Sequence, residues 1–290
     1  MNQKVLVIGG TGMLGLPVAR RLKADGFDAA LMTTDIGRAQ ASLGTEFELV
    51  YGDVTRPETL PGPIENRDIV YLSLNAGHDP RRYREIEVSG TENVARVAAE
   101  AGVRRISMIS GASSEGREEG IIFLDAKVRA EQALMECGVP YTIMRPSWFF
   151  ETLPKYVQGG RASVIGRQPI KRNWLAAADY ARQVSVALQT EAAAGKCFYN
   201  LGPQKLTILE AVTQFCARHY PEIKPTAVSY WLARTLALAP GQQQLRKIIP
   251  FFRYFETRPE PEEAAESDRI LGPNLMTLEE WLDGYQPPAT

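Results

Sequence analysis

The chain has 290 residues, of which 44% are hydrophobic and 23% charged, the ordinary composition of a folded globular protein. Its 33 Lys and Arg residues nearly balance its 34 Asp and Glu residues, so bulk charge excludes direct nucleic-acid binding through a basic surface. Three scattered cysteines and two histidines give no metal-ligand spacing, and we expect no metal. Because no apolar run suits a signal peptide or a membrane span, we expect a cytoplasmic protein.

Short apolar runs alternate with helical patterns over the first half of the chain, which is typical of βαβ units around a parallel sheet. The predicted strands are Val5–Ile8, Ala29–Thr33, Glu48–Tyr51, Ile69–Leu74, Arg105–Ser110 and Tyr141–Met144. The predicted helices are Leu14–Ala24, Arg38–Leu43, Glu85–Ala101 and Leu124–Cys137. Continuous apolar strands indicate a sheet covered on both faces, so the prediction is an α/β fold with a Rossmann-like, doubly wound parallel sheet.

After about Trp148 the pattern loosens, which predicts a smaller, mainly helical C-terminal lobe. The helices predicted there are Asp179–Gln189, one that begins at Ile208 and one that carries Trp281. Capping boxes precede the last two, formed by Thr207 with Glu210 and by Thr277 with Glu280. The aromatic segment 225–255 suits core packing, a pocket lid or a partner surface. We therefore divide the chain into a sheet domain, residues 1–150, and a lobe, residues 151–290, interleaved with the sheet.

A glycine-rich turn, Gly9–Gly15, follows the first predicted strand and opens the first predicted helix. Its sequence GGTGMLG fits the GxxGxxG pattern of a dinucleotide-binding turn. Gly9 permits the tight turn, Gly12 lets the backbone approach a pyrophosphate, and Gly15 lets the helix pack on the strand. The alternative is a tight turn without a ligand. The amides expected to hold the phosphates belong to Thr11, Gly12, Met13, Leu14 and Gly15.

The residues after the second strand bear on which dinucleotide is bound. Thr33 and Thr34 with Arg38 suit the 2′-phosphate of NADP(H), whereas Asp35 suits the ribose hydroxyls of NAD(H). Asp35 also suits a helix N-cap, because it directly precedes the second predicted helix. Both cofactors stay open, and the two hydroxyls and the arginine favour NADP(H).

Two further segments follow predicted strands at the carboxyl edge of the sheet, where ligands bind in this fold. Asp53 and Val54 follow the third strand, and the Asp53 carboxylate suits the adenine amino group. The alternative is that Asp53 only caps the loop before Pro57. The residues that end the fourth strand, and that we expect along the ribose path, are Ser73, Leu74 and Asn75.

These motifs resemble the atypical short-chain dehydrogenases, in particular their NmrA-like and isoflavone-reductase-like branch. The resemblance covers about residues 4–210 in order, and more faintly the tail from Leu271 to Trp281. It implies a Rossmann-like sheet that binds NAD(P)(H) and a small C-terminal substrate lobe. The segments that carry it are GGTGMLG at 9–15, Gly52-Asp53, GTENV at 90–94, AGVRR at 101–105, Lys127 with Glu131, RPSWF at 145–149, and LGP at 201–203 with Leu206-Thr207.

The catalytic residues of the resembled family match this chain only in part. Short-chain dehydrogenases use a Tyr four positions before a Lys, and here Phe123 stands four positions before Lys127, so the usual proton donor is missing. The resemblance implies that Lys127 bonds the nicotinamide ribose or, as in the isoflavone-reductase-like branch, acts as the acid–base. The alternative is a solvated lysine paired with Glu131 at i, i+4.

Other expected parts of the active site lie after the fifth and sixth strands. Ser110 and Ser113 flank the place of the family's serine or threonine, and Ala112 stands at that place. Pro146 and Trp148 follow the sixth strand at the expected nicotinamide end. Trp148 also suits ordinary packing of the lobe on the sheet.

Two functions from different classes fit the sequence equally well. The first is an oxidoreductase that transfers a hydride between NAD(P)(H) and a small organic substrate, using Lys127. The second is a non-catalytic, NmrA-like dinucleotide-sensing regulator or assembly factor that acts on a protein partner. Phe123 favours the regulator, because the usual proton donor is absent. The presence of Lys127 favours the oxidoreductase. Tyr83 and Tyr156 are possible stand-in proton donors that the sequence does not place.

Overall fold

The computed structural model describes residues 2–77, 79–113, 122–262 and 264–287. It forms two compact units, each made of three chain segments. The sheet unit comprises Met1–Pro146, Ala177–Asn200 and Ala264–Pro273, and the accessory unit comprises Ser147–Ala176, Leu201–Glu263 and Asn274–Thr290. In the described part of the chain, no helix combines the length and apolar character that a membrane crossing needs.

The described strands and helices follow the predicted order closely. The strands are β1 (Lys4–Ile8), β2 (Asp28–Thr33), β3 (Glu48–Tyr51), β4 (Ile69–Leu72), β5 (Arg105–Ile109), β6 (Tyr141–Pro146), β7 (Trp148–Phe149), β8 (Val157–Gln158), β9 (Arg161–Ile165), β10 (Arg172–Leu175), β11 (Lys196–Asn200), β12 (Gln204–Leu206) and β13 (Thr226–Val228). The α-helices are α1 (Gly15–Ala24), α2 (Ile36–Leu43), α3 (Pro61–Ile64), α4 (Pro80–Arg82), α5 (Gly90–Glu100), α6 (Ile122–Glu136), α7 (Ala177–Gln189), α8 (Ile208–His219), α9 (Tyr230–Leu236), α10 (Gln243–Phe255), α11 (Ala265–Leu271) and α12 (Leu278–Gly284).

The sheet unit is built on a seven-stranded sheet in the order β11-β6-β5-β4-β1-β2-β3, and every neighbouring pair is parallel. The chain reverses direction across the sheet between β3 and β4, so the switch point lies between β1 and β4. Every residue of β4 and β5 is buried, as expected for strands covered on both faces. The predicted Rossmann-like fold class is confirmed.

The sheet unit also contains elements that were not predicted, among them the short helices α3 and α4 and helix α11. A seventh strand, β11, pairs with β6 and closes that edge of the sheet. The predicted helix at 85–101 begins with a π-helix, Tyr83–Ser89, which follows α4 and continues into α5. A π-helix is wider than an α-helix, so it changes which side chains face inward.

The accessory unit combines helices with two small three-stranded sheets, β12-β10-β7 and β13-β9-β8. Its core is aromatic and includes Phe150, Trp174 and Phe215, all fully buried. Both predicted capping boxes are confirmed, at the start of α8 and at the start of α12.

Candidate functional site

The glycine turn is fixed by the backbone around it. Gly9 has φ +80°, and a Cβ there would lie 2.3 Å from the carbonyl oxygen of Ser73, which follows β4. A Cβ on Gly15 would lie 2.2 Å from the carbonyl oxygen of Gly9. Both distances are far inside van der Waals contact, so the fold itself requires glycine at these two positions.

Gly12 differs, because the fold crowds it less than Gly9 and Gly15. Its N–H donates to the Gly9 carbonyl at 3.1 Å, and an added Cβ would meet only that carbonyl oxygen, at 3.2 Å. Gly12 is exposed, as are Thr11 and Met13 on either side, and Leu14 is half-buried at the start of α1. Among the described residues, no side chain caps α1 and its first turn carries no acid. The open amide-rich turn therefore fits a pyrophosphate.

The segment after β2 is held by local hydrogen bonds. The Asp35 amide donates to the Thr33 hydroxyl at 3.1 Å, and the Asp35 carboxylate accepts from the Arg38 amide at 2.9 Å. Asp35 is therefore the N-cap of α2, which is the alternative that the sequence left open. Thr34 and Arg38 are exposed, and no ion pair to the Arg38 guanidinium occurs among the described residues. The free cation suits an anionic ligand at this edge.

Asp53 organises its own turn after β3. Its Oδ1 accepts from the amide of Thr55 at 2.9 Å and from the hydroxyl of Thr55 at 2.8 Å. Its Oδ2 lies 4.0 Å from the Arg56 guanidinium. The capping role left open by the sequence is thus present, and the neighbouring Val54 is buried.

The residues after β4 sit against the glycine turn. The Ser73 amide donates to the Ile8 carbonyl at 2.8 Å, and the Asn75 side-chain oxygen accepts from the Gly77 amide at 2.7 Å. Leu74 packs against the core of the sheet unit. Of these three residues, only Asn75 is exposed.

The most unusual feature of this edge is a buried ion pair between Lys127 and Glu87. The Nζ of Lys127 lies 2.6 Å from Oε2 of Glu87, and the two side chains are 20% and 5% exposed. The other carboxylate oxygen, Oε1, accepts from the amide of Ala76 at 3.1 Å. Glu87 therefore ties Lys127 on α6 to the loop that follows β4.

The neighbouring carboxylate, Glu131, is engaged elsewhere. It accepts two hydrogen bonds from the Arg145 guanidinium, at 3.1 and 2.7 Å, and this guanidinium lies 5.7 Å from the centre of the Tyr199 ring. Lys127, largely buried against Glu87, is not the solvated lysine of the alternative interpretation.

Tyr83 and Glu87 lie four residues apart on the π-helix. Burial raises the pKa of the Tyr83 hydroxyl, and the negative charge of Glu87 raises it further. Tyr83 therefore stays protonated at neutral pH and can donate a hydrogen bond. Phe123 lies in the first turn of α6, four residues before Lys127.

The loop after β5 runs beside the end of β6. The Ser110 amide donates to the Met144 carbonyl at 2.7 Å, and the Ala112 amide donates to the Pro146 carbonyl at 3.0 Å. Ser110 and Ala112 are buried, and Ser113 is half-buried. Pro146 is the buried last residue of β6.

Trp148 lies in the accessory unit, in an aromatic cluster. Its ring centre is 5.9 Å from that of Trp174 and 5.5 Å from that of Phe255. This ring packing lies within the accessory unit, and the place of Trp148 beside the nicotinamide stays a prediction. Tyr156 packs in the same cluster, against Phe252, and burial raises the pKa of its hydroxyl.

A second buried carboxylate, Glu260, lies in the accessory unit. It accepts a hydrogen bond from the Ser147 hydroxyl, and its Oε1 lies 3.9 Å from Nη1 of the buried Arg172. Burial raises the pKa of Glu260, and the arginine opposes that rise.

Sequence reasoning missed Glu87 and left Tyr83 unplaced. Glu87 stands between Ile86 and Val88 in a segment read as a regular helix, and nothing in that pattern marks it as buried. Its partner Lys127 is 40 residues further along the chain, and only the tertiary fold joins them.

The geometry at the carboxyl edge agrees with comparisons to known proteins. A family model described as NAD(P)H-binding matches residues 9–183, more than half of the chain. The chain belongs to this NAD(P)H-binding family. The predicted dinucleotide binding and the expected family resemblance are therefore confirmed at this level.

Two proteins of similar sequence have names that describe different functions. The photosystem II assembly factor Ycf39 of Guillardia theta is 29% identical over 150 residues, which are 51% of this chain and 48% of the relative. The chain thus matches about half the length of that relative. An NAD(P)H azoreductase of Xenophilus azovorans is 23% identical over 250 residues, 83% of this chain and 82% of the relative.

A solved structure shares the fold of the whole chain. The triphenylmethane reductase of Citrobacter sp., complexed with NADP(H), has a TM-score of 0.77 and 17% identity. The match covers 97% of this chain and 99% of the reductase. At this identity the likeness concerns the fold.

We expect Gly12→Ala to weaken NADPH binding about tenfold or more, because its methyl group occupies the side from which a pyrophosphate approaches the turn. The free energy of unfolding should fall only slightly, since the methyl group meets the Gly9 carbonyl at 3.2 Å and that carbonyl shifts by a few tenths of an ångström to admit it. Fluorescence titration with NADPH and urea denaturation measure the two effects. Gly284→Ala, at a glycine with open surroundings, is the control. Unchanged NADPH affinity in Gly12→Ala would show that the turn does not hold the cofactor.

Proposed function

We propose that this protein is an NADPH-dependent reductase of a small organic substrate, with Lys127 as its acid–base residue. The observation that carries this proposal is the ion pair between Lys127 and Glu87, 2.6 Å long and largely withdrawn from water at the carboxyl edge of the sheet. Burying two charges costs several kcal/mol per ion before their attraction offsets it, ~5 kcal/mol in order of magnitude. A buried, charge-paired lysine at a ligand-binding edge is more typical of a catalytic residue than of a solvent-exposed one.

The residues that would hold the dinucleotide lie along the edge described above. The amides of the Gly9–Gly15 turn would bind the pyrophosphate, and Thr33, Thr34 and Arg38 would bind a 2′-phosphate. The carboxylate of Asp35 is already engaged as the N-cap of α2, which supports NADP(H) over NAD(H). The Citrobacter reductase, complexed with NADP(H), supports the same preference.

The other predicted contacts complete the proposed cofactor site. Asp53 and Val54 would lie by the adenine, the segment Ser73–Asn75 by the ribose, and Pro146 and Trp148 by the nicotinamide. The Lys127 ammonium has three N–H donors, and Glu87 engages one of them. The others are available for a ribose hydroxyl and for the substrate.

In this proposal NADPH, held by the residues above, would supply a hydride for an electrophilic carbon or nitrogen of the substrate. Lys127 then donates a proton to the atom that gains the electron pair, such as a carbonyl oxygen or an azo nitrogen. Glu87 orients the ammonium and keeps its charge balanced. Lys127, which keeps some solvent contact, recovers its proton from water. Tyr83 adds a protonated hydroxyl near Glu87. Phe123, four residues before Lys127, has no hydroxyl to donate.

A second function is favoured by a different observation. Phe123 stands where short-chain dehydrogenases carry their proton-donating tyrosine, and one relative is an assembly factor. In this alternative the protein binds the dinucleotide without turnover and acts as a regulator or assembly factor on a protein partner. Substrate turnover separates the two functions.

Substitution of the ion pair tests the catalytic proposal. We expect Lys127→Met to lower kcat about a hundredfold or more with an azo dye or a quinone as substrate, because the proton donor is lost. Glu87→Gln should lower kcat less, since the amide still orients Lys127 but lacks the charge. The rate is followed by NADPH oxidation at saturating NADPH, so that loss of the ribose contact does not lower the measured kcat, and thermal denaturation checks that each variant is folded.

The matched control is Arg129→Met, which removes an exposed cation from the same helix as Lys127. Full activity of Lys127→Met would rule out its role as acid–base. Tight NADPH binding by the wild type with no turnover of any quinone, azo or carbonyl substrate would favour the regulator.

The cofactor preference is tested separately. We expect Arg38→Ala to weaken NADPH binding about tenfold and to leave NADH binding unchanged, because only NADPH carries the 2′-phosphate. Arg96→Ala, at an exposed arginine of α5, is the control. Equal effects on both dinucleotides would contradict a 2′-phosphate contact by Arg38. Fluorescence titration with each dinucleotide measures the outcome.

A further inference from the structure

Helix α9 and the turn after it expose large apolar side chains to solvent. Of the nine large apolar residues that are exposed in the described part of the chain, four lie between residues 231 and 238. Their exposed fractions run from 42% for Leu232 to 76% for Leu238. We call this group the α9 surface, and its members are Trp231, Leu232, Leu236 and Leu238.

The opposite face of α9 is packed by small residues. Ala233 and Ala237 are buried against Ile249 of α10, with Tyr230 beside them. A helix of a globular protein normally buries its large apolar residues and exposes its small or polar ones. Here the order is reversed, so packing within the accessory unit does not account for the α9 surface.

Helix α9 is also well defined at its ends. The Ser229 hydroxyl accepts from the Leu232 amide at 3.3 Å and caps the first turn. The Arg246 guanidinium donates to the Ala237 carbonyl at 3.0 Å at the end of the helix. These bonds hold the exposed residues in a fixed arrangement.

The segment that carries the α9 surface contains only basic charged residues, and the acid that follows it, Glu256, lies beside Tyr230 of α9. The stretch from residue 223 to residue 255 contains no Asp or Glu, although the whole chain carries more acidic than basic residues. The nearest acid after it, Glu256, accepts a hydrogen bond from the Arg167 amide at 2.7 Å. The basic residues of the stretch are Lys224, Arg234, Arg246, Lys247 and Arg253.

We propose that the α9 surface binds the surface of an anionic lipid bilayer. Tryptophan and leucine insert at the boundary between head groups and acyl chains, and lysine and arginine attract anionic head groups. A bilayer demands no matched pattern of hydrogen bonds, and the α9 surface consists of apolar side chains in a segment whose charged residues are all basic. Charge complementarity therefore favours an anionic bilayer over a protein partner.

Vesicle binding by the full chain tests this proposal. We expect the protein to co-sediment with vesicles of phosphatidylcholine and phosphatidylglycerol, and to bind pure phosphatidylcholine vesicles about tenfold more weakly. Added salt should weaken binding to the anionic vesicles. Trp231 is more exposed than the other three tryptophans, so its emission should shift to shorter wavelength on binding.

Substitutions on the α9 surface locate the binding site. We expect Trp231→Ser with Leu236→Ser to weaken vesicle binding about tenfold or more, because two inserted side chains are lost. Arg234→Glu should weaken binding to anionic vesicles only. The control is Leu275→Ser, which changes a leucine that is 69% exposed in the same unit outside the α9 surface. Thermal denaturation checks that each variant is folded.

Three results would overturn the proposal. The first is that the wild type does not bind anionic vesicles at low salt. The second is that Trp231→Ser with Leu236→Ser binds them as well as Leu275→Ser does. The third is that these substitutions abolish a dimer in analytical ultracentrifugation while the wild type ignores vesicles, which assigns the surface to a second copy. NADPH titration tests the proposed cofactor site separately, and its result does not depend on any of these three.

Discussion

The buried ion pair between Lys127 and Glu87 is the interaction on which the carboxyl edge of the sheet depends. A lone charge at either position would lose its hydration without compensation, so each group requires the other. The Ala76 amide satisfies the second oxygen of Glu87 and joins the pair to the loop after β4. The pair thus links α6 and the π-helix to the loop at the carboxyl edge of the sheet.

The glycine turn imposes a complementary constraint on the same edge. Gly9 and Gly15 bring three backbone segments closer than any side chain allows, while Gly12 lies exposed between them. The turn therefore presents the positive end of the α1 dipole, with no acid in the first turn of the helix. In the proposed function, these backbone amides bind the phosphate groups of the dinucleotide, and Lys127 serves the chemistry nearby.

Sequence patterns predicted the features that depend on residues close together in the chain. The order of helices and strands along the chain, the Gly9–Gly15 turn and the two capping boxes depend on local sequence. Each was found in the structure. The local alternatives for Asp35 and Asp53 were also visible, because capping needs only near neighbours. The features that sequence patterns did not predict depend on distant partners. Strand β11 needs β6, and the burial of Glu87 needs Lys127 and the wider turn of the π-helix.

Hydrogen–deuterium exchange with and without NADPH tests most directly whether the cofactor binds over this edge. We expect NADPH to slow exchange in peptides that cover residues 9–16, 33–38 and 73–77, and at the start of α6 before Lys127. Exchange in α9 should be unchanged, because that surface is proposed to serve another ligand. Protection confined to other segments, or no protection at saturating NADPH, would contradict a dinucleotide site built on the glycine turn and the Lys127–Glu87 pair.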